Sequence, residues 1–216
     1  MAKFLELDHV FILVEPGAKV ADRLLELGFQ EGRGNTHPGQ GTANRRFYFV
    51  NGMLELLWVR DAEEARQGPG RKLQFPERAT NPNASPFGMI FVPNPDQVSQ
   101  AAPFPGWHYQ PDYFLPPQGF HVGTNAENLM EPLCFYFPFY KPPASQSQPQ
   151  RNPHKISVVS IATPSTDTTG VLGLAAQSDR LSIQFASAHG MEITLDQHRL
   201  GRTADFRPEM PLVLHW

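Results

Sequence analysis

The order of apolar and polar residues divides the first sixty residues into a strand, a helix and further strands. The segment FLELDHVFILV (4–14) is apolar at most positions and ends in a Glu-Pro-Gly turn, which predicts a strand. In AKVADRLLELGF (18–29), apolar residues recur at helical spacing before a glycine. The alternating, aromatic segment TANRRFYFV (42–50) leads through an Asn-Gly hairpin turn into MLELLWV (53–59). Residues 1–60 are therefore predicted to form a strand, a helix and two or three antiparallel strands.

The same order of elements recurs twice more, raggedly in the middle of the chain and clearly at its end. A second unit is predicted over residues 87–140, where FGMIFVP is followed by two proline-interrupted strands, PDYFLPPQGFHVGTN and EPLCFYFPFY. Residues 141–153 are rich in Pro, Gln and Ser, a composition typical of a linker or surface loop. Residues 154–216 are predicted to contain a strand, a helix and three further strands. Because one helix cannot cover both faces of its strands, paired units are expected to form a curved, half-open barrel with helices outside and a cup inside.

Glu55 is the single polar residue of the segment MLELLWV. An ionised carboxylate that is left unpaired in an apolar environment is strongly unfavourable, so Glu55 must point towards a polar partner or towards solvent. Strand alternation places Glu55 opposite Leu54 and Leu56, and it places His9 opposite Val10. The uniformly apolar faces are expected to pack against the helices. His9 and Glu55 are therefore predicted to face the cup.

Charge and cysteine content exclude several classes of function. The 18 basic and 21 acidic residues give a net charge of −3, which does not indicate a nucleic-acid groove or a membrane-binding surface. The single cysteine, Cys134, lies in an apolar run and is expected to be a buried small side chain. The amino-terminal segment lacks the apolar stretch of a signal peptide, and no stretch has the length of a membrane span. A cytoplasmic protein, monomeric or homodimeric, with a small-molecule ligand is the expectation.

Four segments over residues 6–60 follow one another with a recognisable spacing: LDHVFILV, LLELGF, HPGQGTANRRFYFVNG and LELLWV. In these segments the chain resembles the vicinal oxygen chelate superfamily, and more closely its glyoxalase-like domain family. The resemblance implies an α+β fold in which repeated βαβββ modules form a half-open, cup-shaped mixed β-sheet barrel. Modules 1–60 and 87–140 are expected to pair as two facing sheets within one glyoxalase-like domain, 1–140, with 154–216 as a third βαβββ-like module packed against it.

The resemblance also implies a position for a metal ion. In metal-dependent members of the superfamily, ligands come from the first and last strands of each module, and these positions map onto His9 and Glu55. The second module offers Gly88 or Met89 and Tyr136 at the corresponding places. One histidine and one glutamate do not make a tight site for iron, zinc or manganese. No tightly bound cofactor is therefore expected, and a divalent metal held by His9 and Glu55 is the alternative.

The segment between residues 37 and 48 supplies further candidates for contact with a ligand. Asn44, Arg46 and Tyr48 alternate along one strand and should line the same cup as Glu55. Arg46 is expected either to clamp a ligand carboxylate or to form an ion pair with Glu55. The glycines of HPGQGT either let the backbone approach a ligand or only shape the turn. The predicted substrate-binding residues are His37, Thr42, Asn44, Arg46 and Tyr48.

These residues fit functions of different kinds. The first is a lyase or isomerase of the glyoxalase-like kind, in which His9 or Glu55 moves a proton of a small oxygenated or anionic molecule. The second is a non-catalytic protein that binds or sequesters a drug or metabolite in the same aromatic cup. A metal-dependent, ring-cleaving dioxygenase is a weaker third hypothesis, since it requires two histidines and one carboxylate.

Overall fold

The computed structural model describes residues 5–94, 101–139, 151–165 and 169–216. The predicted linker, 141–153, lies mostly outside these residues. The strands are β1 (Leu5–Leu13), β2 (Gly32–His37), β3 (Thr42–Phe49), β4 (Gly52–Val59), β5 (Phe87–Pro93), β6 (Gly106–Tyr109), β7 (Phe120–Gly123), β8 (Leu133–Tyr136), β9 (Ile156–Thr163), β10 (Leu181–Phe185), β11 (Gly190–Leu195), β12 (Thr203–Asp205) and β13 (Leu212–His215). The α-helices are α1 (Ala21–Glu26), α2 (Ala62–Gln67), α3 (Phe75–Thr80) and α4 (Val171–Ala175), and short 3-10 helices lie at Arg71–Leu73, Thr124–Glu127 and Asp196–His198.

None of the helices described is both long and apolar enough to cross a membrane.

The first eight strands form one continuous sheet in the order β2-β3-β4-β1-β5-β8-β7-β6. Each half of this sheet repeats the same pairing, because β1 lies parallel to β4 and β5 lies parallel to β8. The halves join where β1 and β5 pair antiparallel. The α+β class with repeated modules is confirmed. The expectation of two facing sheets is wrong, because backbone hydrogen bonds between β1 and β5 merge the modules edge to edge.

Contacts between the two ends of this sheet show that it curves strongly. Eight strands laid flat would span about 34 Å, at roughly 4.8 Å for each of seven spacings. Nevertheless, the Tyr109 hydroxyl on edge strand β6 lies 3.0 Å from Gln40 Oε1, which follows edge strand β2. Among the strands described, β2 and β6 do not pair with each other, so the sheet closes around a cup without becoming a complete barrel.

The two faces of the curved sheet belong to different apolar clusters. The convex face, with Val10, Ile12 and Leu56, packs against α1 and against the second sheet. The concave face carries a smaller cluster that includes Phe11, Phe75 and Phe135. Alternation along β1 and β4 thus places His9 and Glu55 inside the cup, as their sequence positions predict.

Residues 156–215 form a second sheet in the order β10-β9-β11-β13-β12. Here β9 lies parallel to β10 and antiparallel to β11, so the strand order of this unit differs from that of the two halves of the first sheet. The Asn51 side chain links the two sheets by bonding both the carbonyl and the amide of Ile156, at 2.9 and 2.8 Å. The second sheet therefore packs on the convex side, away from the cup.

One strand of the second module is shorter than its sequence-based prediction. The sequence predicts a strand over residues 111–125, but only Phe120–Gly123 pairs as β7, after an irregular segment that contains a Pro116-Pro117 cis bond. The charged connection from 60 to 86, which precedes the second module, contains two α-helices and a 3-10 helix. Asp61 explains the start of α2, because its side chain accepts hydrogen bonds from the amides of Glu63 and Glu64.

Candidate functional site

The cup contains a cavity of about 200 Å³. This volume exceeds the ~150 Å³ of an apolar protein cavity that admits benzene, so a small metabolite fits. Polar lining residues come almost entirely from the first module: Asp8, His9, Asn35, His37, Gln40, Asn44, Arg46, Tyr48 and Glu55. Apolar lining residues include Phe11, Phe75, Ile90, Phe114, Phe120 and Phe135, and Tyr113 closes the same side.

A β-bulge places two consecutive polar residues of β1 at the cavity. The pairing of β1 with β5 shifts between Leu7 and His9, so Asp8 is an extra residue in the strand. Because of this bulge, both Asp8 and His9 line the cavity, whereas strict alternation would send one of them to the other face. His9 Nδ1 donates to Asp8 Oδ2 at 2.5 Å, since an ionised carboxylate can only accept. The His9 ring is thereby oriented with Nε2 towards Glu55, 3.7 Å from Oε2.

Glu55 is buried, with 6% of its surface exposed, and side chains surround its carboxylate. The Asn44 amide donates a short hydrogen bond to Oε1. The orientation of that amide is fixed by the Asn35 backbone N–H, which donates to Asn44 Oδ1 at 2.7 Å and leaves Nδ2 to face Glu55. Nε2 of His37 lies 3.9 Å from Oε1. The buried carboxylate is thus held on one oxygen, while Oε2 faces the cavity and His9 beyond hydrogen-bond length.

His37 stands at the end of a buried hydrogen-bonded chain. Its Nδ1 lies 2.9 Å from Thr42 Oγ1, and Thr42 Oγ1 accepts from Gln40 Nε2 at 2.8 Å. Gln40 Oε1 accepts in turn from the hydroxyls of Tyr109 and Tyr113, at 3.0 and 3.3 Å. Burial lowers the pKa of His37 below its ordinary value; Glu55 opposes this change, and Arg46 adds to it. His37 is therefore a neutral imidazole near pH 7.

Arg46 lies at the rim of the cup and does not pair with Glu55. The two residues are direct cross-strand neighbours in β3 and β4. The guanidinium nevertheless donates to the backbone carbonyl of Arg33 through Nε and Nη2, at 2.8 and 2.5 Å, and lies 5.4 Å from the Tyr48 ring centre. Between these two described residues no ion pair forms, so the expected Arg46–Glu55 pair is wrong. The guanidinium keeps further N–H groups for a ligand at the rim.

The second module lines the cup mainly with apolar side chains, whereas the first module carries polar groups. Gly88 leaves space for Phe11, whose ring carbons would lie 2.1 Å from a Cβ at that position. Met89 and Tyr136 belong to the convex cluster, while Ile90 and Phe135 face the cavity. Within the described part of the chain, no three His, Cys, Asp or Glu side chains group closely enough to hold a metal ion. The lining thus does not fit the three or four protein ligands of a typical iron, zinc or manganese site.

The structure brings together nearly all the residues singled out from the sequence. The cavity is lined by His9, His37, Asn44, Arg46, Tyr48 and Glu55. Thr42 lies behind His37, fully buried, and is separated from the cavity by the imidazole. Sequence reasoning did not identify Asp8, Asn35, Gln40 and Tyr113 as lining residues. A signal for Asp8 exists in the sequence, because Leu5 and Leu7 alternate with polar residues until the two consecutive polar residues Asp8 and His9 interrupt the pattern.

Comparisons with known proteins give one matching family model and similar solved structures. Residues 7–103 match the family model described as a glyoxalase-like domain. The chain is similar to a hypothetical protein from Staphylococcus aureus, with 12% identity, a TM-score of 0.61 and coverage of 98% of this chain and 99% of that one. It is also similar to methylmalonyl-CoA epimerase, with 10% identity, a TM-score of 0.42 and coverage of 64% and 99%. A search of curated proteins gives no match. At 12% identity, the first of these likenesses concerns the fold alone.

Proposed function

We propose that this chain, whose residues 7–103 match the family model of a glyoxalase-like domain, is a lyase or isomerase that moves a proton of a small oxygenated anion. One observation carries the proposal: a buried carboxylate, Glu55, faces a cavity of metabolite size together with two imidazoles. Buried titratable groups that converge on a cavity are typical of sites for acid–base chemistry.

Glu55 is the proposed base. Asn44 occupies Oε1, which leaves Oε2 to accept a proton from the ligand. In the proposed step, a C–H bond next to a ligand carbonyl breaks, the proton moves to Glu55 Oε2, and the electron pair forms an enolate. Return of a solvent-exchanged proton to the same carbon completes exchange. In a ligand with a hydroxyl on that carbon, protonation of the former carbonyl carbon, with transfer of the hydroxyl proton to the former carbonyl oxygen, completes isomerisation. His9 Nε2, 3.7 Å away and oriented by Asp8, is the nearest group to which Glu55 can pass the proton.

The charge of the ligand is inferred from Arg46. Its guanidinium is anchored at the mouth of the cavity, and Asn35 beside it is exposed. A carboxylate at this rim would be bound by Arg46, and the remainder of the ligand would contact the aromatic wall of the second module. Small 2-oxo and 2-hydroxy acids have the size and charge that this arrangement favours. The ligand set of the cup does not suit a metal, so the proposed steps use side chains alone.

Deuterium exchange and calorimetry test the proposal with pyruvate and lactate as probes. We expect the protein to exchange the methyl hydrogens of pyruvate in D2O, and we expect Glu55→Gln to slow this exchange by about 100-fold or more. Arg46→Ala should weaken pyruvate binding about tenfold, because a charge-assisted hydrogen bond is lost. The exposed residues give matched controls: Glu63→Gln and Arg33→Ala should behave as wild type.

A second function is favoured by the aromatic wall, which suits binding without chemistry. A protein that only sequesters its ligand would bind it in the same cup, with Arg46 and Phe135 in contact with it, and would show no exchange. Binding without exchange in the wild type would therefore support sequestration. Binding and exchange that are unchanged in both Glu55→Gln and Arg46→Ala would place the ligand elsewhere and contradict the proposal.

A further inference from the structure

The hydrogen-bonded chain behind His37 has a direction that can be worked out from its donors. Burial raises the pKa of both Tyr109 and Tyr113, so each hydroxyl keeps its proton and requires an acceptor. Gln40 Oε1 is that acceptor for both hydroxyls. The amide of Gln40 is thereby oriented with Nε2 towards Thr42, to which it donates. The Thr42 oxygen thus already accepts one hydrogen bond.

One acceptor then remains for the Thr42 hydroxyl hydrogen. Thr42 is fully buried, and its Oγ1 has two hydrogen-bond partners in the structure, Gln40 Nε2 and His37 Nδ1. Because the first of these is a donor, the second is the one partner of the two that can accept the buried hydroxyl hydrogen. His37 Nδ1 is then an acceptor, and a neutral imidazole must carry its proton on Nε2.

The opposite direction leaves a buried donor without an acceptor. With the proton on Nδ1, Thr42 Oγ1 would accept from both of its partners, and its own buried hydrogen would have no acceptor in the described part of the chain. If Gln40 turned over to accept that hydrogen, the tyrosine hydroxyls would lose Oε1 as their acceptor, although Tyr109 is only 1% exposed. A buried donor without an acceptor costs about 1–3 kcal/mol.

We propose that Thr42 fixes His37 as the Nε2–H tautomer and that His37 donates this hydrogen bond to an acceptor oxygen of the ligand. His37 is then a second catalytic residue beside Glu55, and Thr42 and Gln40 are positioning residues that act through it. The proposal deepens the proposed function, because it assumes that the cup holds the ligand. It does not require His37 to gain or lose a proton: the N–H stabilises negative charge that develops on the ligand oxygen while Glu55 holds the transferred proton.

The arrangement also assigns complementary roles to the two groups that face each other in the cup. Glu55 can only accept and His37 Nε2–H can only donate. A ligand that satisfies both must therefore present an acceptor oxygen to His37 and a hydrogen to Glu55. The oxygen acquires negative charge when the hydrogen leaves, so the donor is placed where charge develops.

Nitrogen-15 NMR of the histidine side chains tests the tautomer without any ligand. Long-range proton–nitrogen spectra at pH 8 distinguish a protonated from an unprotonated ring nitrogen, and His37→Asn assigns the signals. We expect His37 to show a protonated Nε2 and an unprotonated Nδ1. Thr42→Val, which removes the hydroxyl at nearly constant volume, should give a mixture of tautomers, and Thr42→Ser should restore the single form. Thr36→Val, at an exposed position on the same hairpin, is the matched control.

Binding of oxalate, a planar dianion that resembles the enolate of pyruvate, gives the functional readout. We expect Thr42→Val to weaken oxalate binding about fivefold and Thr42→Ser to bind as the wild type does. A protonated Nδ1 in the wild type, or an unchanged tautomer in Thr42→Val, would overturn the proposal. So would oxalate binding that is the same in wild type, Thr42→Val and His37→Asn. Absence of pyruvate exchange together with the expected tautomer and oxalate result would contradict only the proposed catalysis.

Discussion

The two halves of the eight-stranded sheet have the same strand order but opposite inner surfaces. Strands β1–β4 turn carboxylates, imidazoles and amides towards the cavity, whereas β5–β8 turn Ile90, Phe120 and Phe135 towards it. The pairing pattern is the same in both halves, with a parallel pair next to the central antiparallel junction. The strand topology therefore forms the cup, and the side chains determine whether each wall of the cup is polar or apolar. A ligand in this cup is oriented, because its polar atoms can be satisfied on one wall only.

Two charged side chains are buried in different surroundings, Glu55 in the first half of the sheet and Arg78 on α3, and their comparison separates function from structure. Glu55 is surrounded by side chains and faces a cavity. Arg78, which is 3% exposed, donates to backbone carbonyls around the junction between α3 and the second module. The acceptors are Leu73, Ser85, Ala126, Asn128, Leu129 and Glu131. Burial lowers the pKa of Arg78 to about 10, so it stays cationic at pH 7. Backbone carbonyls surround this cation, whereas the groups around Glu55 are side chains that include two imidazoles.

The largest effect that follows from this comparison is a loss of stability in Arg78→Lys. An ammonium group has three donors at one point and cannot reach carbonyls that the guanidinium fork satisfies together. We expect the free energy of unfolding to fall by about 2–4 kcal/mol, measured by urea denaturation. Binding of pyruvate to the folded fraction should be unchanged, because Arg78 does not contact the cup.

Arg71→Lys is the matched control for this prediction. Arg71 is exposed at the start of a neighbouring 3-10 helix, and its replacement should change stability by less than about 0.5 kcal/mol. If Arg78→Lys were as stable as this control, the carbonyl cluster would not need a planar donor. If Arg78→Lys lost pyruvate binding while remaining folded, Arg78 would contribute to the ligand site, and its role would not be structural alone.

The part of the site that sequence reasoning could predict is the part that local alternation determines. Glu55 faces the cup because side chains alternate along one strand, a rule that needs no knowledge of distant residues. The predicted ion pair between Arg46 and Glu55 does not form, although the two residues are cross-strand neighbours. Asn44 donates a hydrogen bond to Glu55, and Arg46 donates to the backbone carbonyl of Arg33 instead. That carbonyl lies where the pairing of β2 is irregular, between Gly32 and Asn35.

Contacts between distant segments were beyond sequence reasoning. Tyr113 lies next to His37, with ring centres 5.2 Å apart, only because the sheet curves until its edges approach. Nothing near either residue in the sequence indicates this contact. The merging of the two modules into one sheet likewise depends on the choice of edge partner for β1, which alternation leaves open. Sequence patterns therefore predicted the elements and the polar wall, and missed the way in which the cup is closed.

The second largest effect concerns Gly88, where the two halves interlock. A Cβ at this position would lie 2.1 Å from carbons of the Phe11 ring, which packs between Phe75 and Phe135 at centre distances of 6.0 and 6.1 Å. Because the ring cannot move away freely, Gly88→Ala should destabilise the protein by about 1–3 kcal/mol. Gly190→Ala is the control, since a Cβ there meets only Ala162 at 3.8 Å.

A double-mutant cycle identifies the cause of this loss. Phe11→Leu makes room beside Gly88, so the double variant should be more stable than the sum of the single effects predicts, by at least about 0.5 kcal/mol. Additive effects would show that Gly88 is required for another reason, such as its backbone conformation. In that case the contact between Gly88 of the second half and the Phe11 ring of the first half would not explain why residue 88 is a glycine.

The smallest expected effect is a pH dependence that arises from His37 in the polar wall. Burial lowers the pKa of His37 in the folded state, so below about pH 6.5 the unfolded chain binds a proton that the folded chain does not. Stability should therefore fall as the pH decreases from 6.5 towards the folded-state pKa, and His37 should contribute nothing above 6.5. A pKa difference of one between the two states corresponds to about 1.4 kcal/mol, which sets the scale of the effect.

His37→Asn removes this titration while keeping an oxygen that can accept from Thr42. We expect its unfolding free energy to decrease less than that of the wild type between pH 7 and pH 5, measured by urea denaturation at each pH. The pKa of His189 is also lowered by burial, so part of the dependence must persist in the variant. Thr36→Val, which leaves every ionisable group in place, should keep the full wild-type dependence. Equal slopes in wild type and His37→Asn would mean that His37 is protonated alike in both states. The polar wall would then lack the neutral imidazole that distinguishes it from the aromatic wall opposite.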